Sequence, residues 1–486
     1  MLNYVFESLK FFKKIFSHRT TWLMFCIVVL GFIGTNEIIG VTSFCRFWGF
    51  GEKAYNALLY FFRCSVWSSK TLVLQWAAFV LSQNVTVMVQ GRAVLLGDHT
   101  YVPKDGRRMA GVVTLRQHSE TQSKPSYFRG HCWGAIGLLI GSFKAPFCLP
   151  LHLSIHQGAI HIGRKKTNDG NQPVLSTSIV NMAIDFALKH DVPSILTLDA
   201  FFPGAAVFKL AASIYSVEIR QPLITLIIRA KKNCVAYFEH IPPHIKKQGR
   251  PRTYGMKVKI MEIFDHTYLF SKQKCIIYGK IEEISVTALN LIWRPTGSLI
   301  RFVFAVTSHG PIVLMCSDLN QNTLSAIELY CSRIRIETMF DMLKNVTGAF
   351  KYRFWSKMMP RHSRKPFKNR DLKQPSHQNI PKVRRCWEAY EKFVMLGAIS
   401  LGILEMIALK YSDSVWEQFD GYLRTRSRDL PSERTVKFVV ARLIITNIII
   451  LAPNAIIQEI KERFSGKKKQ SKRASPFQKQ NQDIAA

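Results

Sequence analysis

The hydrophobic pattern of this chain changes period near residue 92, and that change restricts the fold more than any other feature. Before it, residues 1–88 repeat apolar side chains at intervals of three to four. LKFFKKIF (9–16) and YNALLYFFRCSVWSSKTLVLQWAAFVL (55–81) both do so, which predicts helices. After it come short apolar runs bounded by Gly, Pro or charge: AVLLGD (93–98), GVVTL (111–115), AIGLLIG (135–141) and CLPLHLSI (148–155). Runs of that length and edge chemistry predict buried or half-buried strands, the first of them ending at Asp98. TSIVNMAIDFALKH (177–190) then predicts an amphipathic helix, stopped by the Val-Pro pair at 192–193. SILTLD (194–199) predicts another strand, and residues 203–214 a further helix. Strands in succession, then strands alternating with helices, imply an α/β domain around a mixed sheet.

The remainder divides by composition. Residues 218–318 are strand-rich, with basic turns such as IKKQGRPRTYG (245–255), and read as a β-rich insertion or continuation of the sheet. Residues 319–356 contain one helix, and 357–385 form a loop with ten Lys or Arg, one acid and four prolines. That composition suits a linker or a strap along a DNA backbone. Residues 386–464 return to helix, and the basic tail 465–486 has the composition of a disordered segment. The expected organisation is therefore a core at 89–217 and 319–356, the insertion between them, a C-terminal helical region at 386–464, and at 1–88 a basic helical domain that suits DNA-end binding, with a helical scaffold bearing solvated lysines as its alternative.

Several apolar stretches raise the question of a membrane. Residues 22–34 are apolar for only thirteen positions, 443–452 include Thr446 and Asn447, and 396–409 include Glu405. None of these approaches the ~20 residues a helix needs to cross a bilayer, so buried helices are expected. The ten cysteines contain no C-x-x-C pair, which argues against a zinc site and a disulfide framework and suits a reducing cytoplasm. Charge is the stronger constraint. Sixty-seven Lys and Arg against thirty-two Asp and Glu leave a formal +35, a field whose partners are nucleic acid or an anionic membrane surface.

Chemistry concentrates in ELYCSRIRIETMFDMLK (328–344). Tyr330, Arg333, Glu337 and Lys344 are separated by three, four and seven positions, which places them along one stripe of a single helix. A carboxylate between two cations on one helical face suits a metal ion held beside a phosphate. Two more acids stand out by position, Asp98 after AVLLG and Asp199 after SILTL. Acids at the carboxyl ends of strands point to where ligands collect in open α/β sheets. An all-oxygen set of Asp98, Asp199 and Glu337 suits Mg²⁺ or Mn²⁺, which recruit substrate phosphate. Each has a plainer reading: Asp98 as a turn residue or helix cap before residues 99–103, Asp199 as an ordinary post-strand Asp, and Glu337 as a solvated helix residue.

At these residues the chain resembles the cut-and-paste insertion-sequence transposases, whose DDE catalytic core has an RNase H-like fold. The resemblance rests on the Y-x2-R-x3-E-x6-K pattern at Tyr330, Arg333, Glu337 and Lys344, on LLGDHTYVPKDGRRM around Asp98, on LTLDAFF around Asp199, and on GAFKYRFWSKMM (348–359). It covers about residues 20–360. It implies an RNase H-like core with a mixed sheet, a β-rich insertion ahead of the last acid, and two divalent ions bound by Asp98, Asp199 and Glu337. It further implies cleavage of double-stranded DNA at element ends, strand transfer into target DNA, a homodimer holding two ends together, and residence in the cytoplasm on the nucleoid. Tyr330, Arg333 and Lys344 would contact DNA, and Trp293 of the insertion would be placed to stack on a flipped base, unless it is a core residue. A catalytically inactive DNA-binding remnant and a membrane protein are the alternative readings.

Weaker signals remain. His152, His156 and His161 could be metal ligands, but buried structural histidines are the simpler expectation. The segments 105–108, 119–134 and 249–255, and the tail lysines 467–469, could each add a DNA contact or be plain solvated loops.

Overall fold

The computed structural model describes residues 1–117, 126–163, 174–216, 221–240, 253–423, 429–450 and 455–464. Most of the loop 245–255, part of 119–134 and the whole tail lie outside the described residues. The N-terminal region forms five helices: α1 (Leu2–Phe11), α2 (Arg19–Gly34), α3 (Val41–Trp48), α4 (Glu52–Arg63) and α5 (Ser69–Leu81). The sheet begins with the short β1 (Met88–Val89) and continues through β2 (Arg92–Pro103), β3 (Val113–Arg116), β4 (Tyr127–Gly141) and β5 (Pro146–Ile155). Next come α6 (Leu175–His190), β6 (Ser194–Leu198), α7 (Ala205–Ala212), the small pair β7 (Tyr215–Ser216) and β8 (Gln221–Pro222), and β9 (Ile224–Arg229).

Strands β2, β6 and β9 run parallel, with Leu96 opposite Thr197 and Ser194 opposite Ile224. Strands β4 and β5 continue the sheet on the other side of β2 in antiparallel register. The order β5-β4-β2-β6-β9 is the mixed, RNase H-like core expected above. Strand β2 does not stop at Asp98: it runs five residues further to Pro103, because each position from Leu95 to Pro103 finds a partner on β4. Asp98 thus sits inside a strand and is neither a turn residue nor a helix cap.

Strand β9 belongs to the core, so the insertion starts after Arg229 and not at 218. It comprises β10 (Val235–Tyr237), β11 (Lys257–Lys259), β12 (Ser271–Ile277), β13 (Lys280–Trp293), β14 (Ser298–Thr307) and β15 (Gly310–Cys316). β15 pairs antiparallel with β9, so the insertion extends the core sheet, which has thirteen strands among the described residues. Two helices follow, α8 (Thr323–Ser332) and α9 (Ile334–Asn345), where one was expected. The turn between them falls at Arg333.

The C-terminal helices are α10 (Ile380–Lys410), α11 (Ser412–Gln418), α12 (Glu433–Ile450) and α13 (Ala455–Phe464). Residues 380–385 open α10 and do not belong to the preceding loop. The helical flanks are part of one continuous core with the sheet. Thirteen of the sixteen residues of α2 are buried, Phe32 packs edge-on against Phe393 of α10 at 5.1 Å, and Trp76 of α5 donates to the Pro150 carbonyl of β5 at 2.8 Å. The N-terminal helices are packed into the same core as the sheet in this arrangement. The stretch His377–Lys410 is long and apolar enough to cross a bilayer, which the shorter window 396–409 did not reveal. Its most apolar part is 94% buried inside the protein, as befits the central helix of a large core. All ten cysteines are unpaired, and nine of them are buried.

Candidate active site

Three elements deliver the acids. Two steps beyond the Leu96–Thr197 pairing, the parallel register of β2 and β6 brings Asp98 beside Asp199, which leaves the end of β6. Gly97 allows that approach, since a Cβ there would stand 2.6 Å from Leu198 Cδ2 and 2.7 Å from Ile179 Cγ2. Asp199 Oδ1 accepts the Phe201 N–H at 2.8 Å, which fixes the turn after the strand. Burial raises the Asp199 pKa, the nearby charge of Asp98 adds to it, and the Phe201 N–H, Arg333 and His99 pull the other way.

Glu337 enters from the first turn of α9. Between it and Asp98 lies Arg333, whose Nη1 donates to Asp98 Oδ2 and whose Nη2 donates to Glu337 Oε1, both at 3.0 Å. Its side chain is 12% exposed. Burial on its own lowers the Arg333 pKa, but Asp98, Tyr330, Asp199 and Glu337 together raise it. A single guanidinium therefore bonds two carboxylates, from β2 and α9, and feels the charge of a third from β6. The break between α8 and α9 explains how. Arg333 sits at the junction, four residues before Glu337, so one planar fork reaches β2 on one side and its own helix on the other.

The donors are hard oxygens, the kind that bind Mg²⁺ or Mn²⁺, and a cation already holds them together. In chemistry they fit a divalent ion. Among the described residues no group of three His, Cys, Asp or Glu side chains is drawn tightly enough to hold an ion without rearrangement. His99 adds a ring nitrogen, Nδ1, 3.4 Å from Asp98 Oδ1 and without a hydrogen bond. The sequence did not single out that residue, and only its adjacency to Asp98 could have.

The other expected contacts are placed unevenly. Lys344, on the last turn of α9, donates to Thr100 Oγ1 at 2.6 Å. Thr100 shares the Asp98 face of β2, being two residues on. Tyr330 is buried, 6% exposed, and interacts electrostatically with Arg333, so it walls the site rather than projecting from it. Trp293 is 8% exposed, with its ring 5.4 Å from that of Phe208, so its faces are not presented to a base. The packing of β13 on α7 takes up that ring. His152 and His156 are held neutral by burial, which pushes both pKa values down to about 4. His161 is pushed down to about 3, and its Nδ1 accepts the Gly111 N–H at 2.9 Å. These are structural histidines.

Below the acids, Lys104 at the end of β2 buries its ammonium against residues 350–352. It donates to the carbonyls of Phe350 at 2.7 Å and Tyr352 at 3.0 Å, and lies 3.5 Å from the centre of the Tyr352 ring. Burial, reinforced by Lys351 and Arg353, lowers its pKa to about 7. The Tyr352 hydroxyl is itself enclosed, accepting from Trp133 Nε1 at 3.0 Å and lying 2.6 Å from His131 Nδ1. Tyr352→Phe would leave the Trp133 N–H buried without an acceptor. The expected cost is about 1–3 kcal/mol, read as a fall in chemical-denaturation midpoint with an unchanged slope.

No curated protein matches the chain. The family model of the DDE superfamily endonucleases matches residues 50–268. That span holds Asp98 and Asp199 on their parallel strands and ends before the signature segment with Glu337. Together with the convergence of the acids on Arg333, the match supports a DDE-type, transposase-like nuclease domain in this chain.

Proposed function

We propose that the chain is a DNA transposase that cuts double-stranded DNA at the ends of an insertion sequence and joins them to target DNA. The observation that carries this reading is the Arg333 fork, bonded to Asp98 and Glu337 with Asp199 alongside. Asp98, Asp199 and Glu337 would hold Mg²⁺ or Mn²⁺. Two such ions supply activation of the attacking oxygen and stabilisation of the leaving oxygen in an in-line displacement. In the first step water oxygen bonds to phosphorus and the bond to the 3′ oxygen breaks, leaving a 3′-OH and a 5′-phosphate. In the second that 3′-OH attacks a target phosphodiester and releases a target 3′-OH. No protein nucleophile is needed.

Arg333 and Lys344 have separate duties. Arg333 holds Asp98 and Glu337 in place, and Lys344 brings a positive charge to the β2 side of the site, toward the phosphate backbone. Two element ends call for two copies of the chain, so the working unit is a homodimer on DNA, in the compartment where the nucleoid lies.

The test is cleavage of a labelled fragment carrying the element's own flanking ends, with and without Mg²⁺ or Mn²⁺. Metal-dependent 3′-OH ends at the element boundary are the expected result. Tight binding with no cut in either ion would instead favour an inactive DNA-binding protein.

A further inference from the structure

The apolar stretch 396–409 of α10 carries a single charge, Glu405, and nothing in the acid site uses it. Glu405 is 1% exposed, and its Oε2 has no hydrogen-bond partner among the described residues. Burial, with the charge of Glu433 added to it, raises its pKa well above the usual carboxylate range. A carboxyl oxygen without a partner is costly at such depth.

Glu405 lines a cavity of about 360 Å³ where four elements meet. Pro146 and Cys148 come from the start of β5, and Thr338 and Met339 from α9. Pro431 leads into α12, whose first residue is Glu433. Ser432 Oγ accepts the Thr435 N–H at 3.2 Å, which fixes the start of α12 and with it the place of Glu433.

The charge of this cavity runs against that of the chain. Its lining bears three carboxylates, Glu405, Asp429 and Glu433, against two cations, Lys144 and Arg335, whereas the whole chain carries a formal +35. Glu405 and Glu433 are buried, and Lys144 and Asp429 are exposed at the rim. The wall beside the buried acids is apolar and soft, with Cys148 Sγ 3.7 Å from Met339 Sδ. A bare metal ion lacks ligands here, since no three His, Cys, Asp or Glu side chains among the described residues are grouped to hold one. An ammonium needs less. One of its N–H groups can donate to a single carboxylate oxygen while an apolar wall takes its alkyl stem.

We propose that this cavity binds a small primary amine as its alkylammonium ion. The ammonium donates to Glu405 Oε2 in the field of Glu433, and the alkyl chain lies along Met339, Pro146 and Pro431. Arg335 and Met339, two residues to either side of Glu337, lie on the opposite face of α9 from it. The occupant therefore touches the helix of the third acid from behind. The site is independent of the nuclease reading.

The test follows thermal unfolding and calorimetric binding of the full chain with n-butylammonium chloride, n-butanol and sodium butyrate, at one ionic strength held with NaCl. Butylammonium is expected to bind and to raise the melting temperature in a saturable way, and the alcohol and the carboxylate are not. Glu405→Gln keeps the shape and removes the charge. It should weaken butylammonium binding roughly 10- to 100-fold, the share of one charge-assisted hydrogen bond. Thr338→Phe, which fills the cavity from α9 and leaves the carboxylate in place, should abolish the response. Equal stabilisation by butanol or butyrate would overturn the proposal, and so would undiminished affinity in either variant. Neither DNA nor a divalent ion is present in the measurement. A chain that cuts DNA but ignores butylammonium loses this site and keeps the nuclease reading, and one that binds butylammonium but never cuts does the reverse.

Discussion

Asp98→Ala, Asp199→Ala and Glu337→Ala are each expected to lower end cleavage by on the order of 10³-fold or more, about 4 kcal/mol of barrier. DNA binding should stay within about threefold. The separation follows from where the acids sit. All three lie within reach of one guanidinium's field at the meeting of β2, β6 and α9, whereas Lys104, Arg107, Arg108, Lys351 and Arg353 line a separate pocket beyond Thr100. Removing one carboxylate takes away an oxygen donor and leaves that field in place. Since the acids act as a unit, Asp98→Ala combined with Glu337→Ala should fall hardly further than either alone. Asp341→Ala is the control, an exposed acid four residues beyond Glu337 whose carboxylate accepts from Asn345, and it should cut as the parent does. Single-turnover cleavage and a gel-shift titration decide the matter. Wild-type cutting by any one of the three variants would remove that residue from the site.

The strands were legible because their edges are chemical. Gly, Pro and charge bound AVLLGD and SILTLD, and their parallel pairing follows from the intervening helix α6. The end of β2 was not legible. His99, Thr100, Tyr101, Val102 and Pro103 show no clean apolar-polar alternation, and only pairing with β4 extends the strand through them. Likewise the helical spacing of Tyr330, Arg333, Glu337 and Lys344 is genuine, but no Gly or Pro marks the break at Arg333. The turn there is set by what Arg333 reaches, a carboxylate 235 positions earlier in the chain. The insertion boundary was misplaced for a similar reason. Strand β9 has the composition of its neighbours in the insertion, and its parallel pairing with β6 is long-range information. Trp293 shows the same limit in another form, because a tryptophan carries no local sign of whether packing will bury it.

Arg333→Ala should cost about 3 kcal/mol of stability, the second-largest effect expected of a single change at the site. The pair with Asp98 accounts for most of it. Both side chains are about seven-eighths buried, so removing the guanidinium leaves an uncompensated charge in a poorly solvated place. The pair with Glu337, whose side chain is 53% exposed, adds little. Added salt should not restore the loss, since buried pairs are weakly screened. Three further results separate this account from simple loss of packing. In a double-mutant cycle, Asp98→Ala with Arg333→Ala should cost less than the sum of the two, because the second change removes the charge that the first stranded. Arg333→Lys should fall between parent and Ala, keeping the charge but losing the fork that spans two carboxylates. Mn²⁺ should raise the melting temperature of Arg333→Ala more than that of the parent, as the carboxylates are then free to bind an ion that favours the folded state. Additive stabilities in the cycle, with no gain in response to Mn²⁺, would mean that Arg333 is ordinary packing and that the three acids are not held as one electrostatic group.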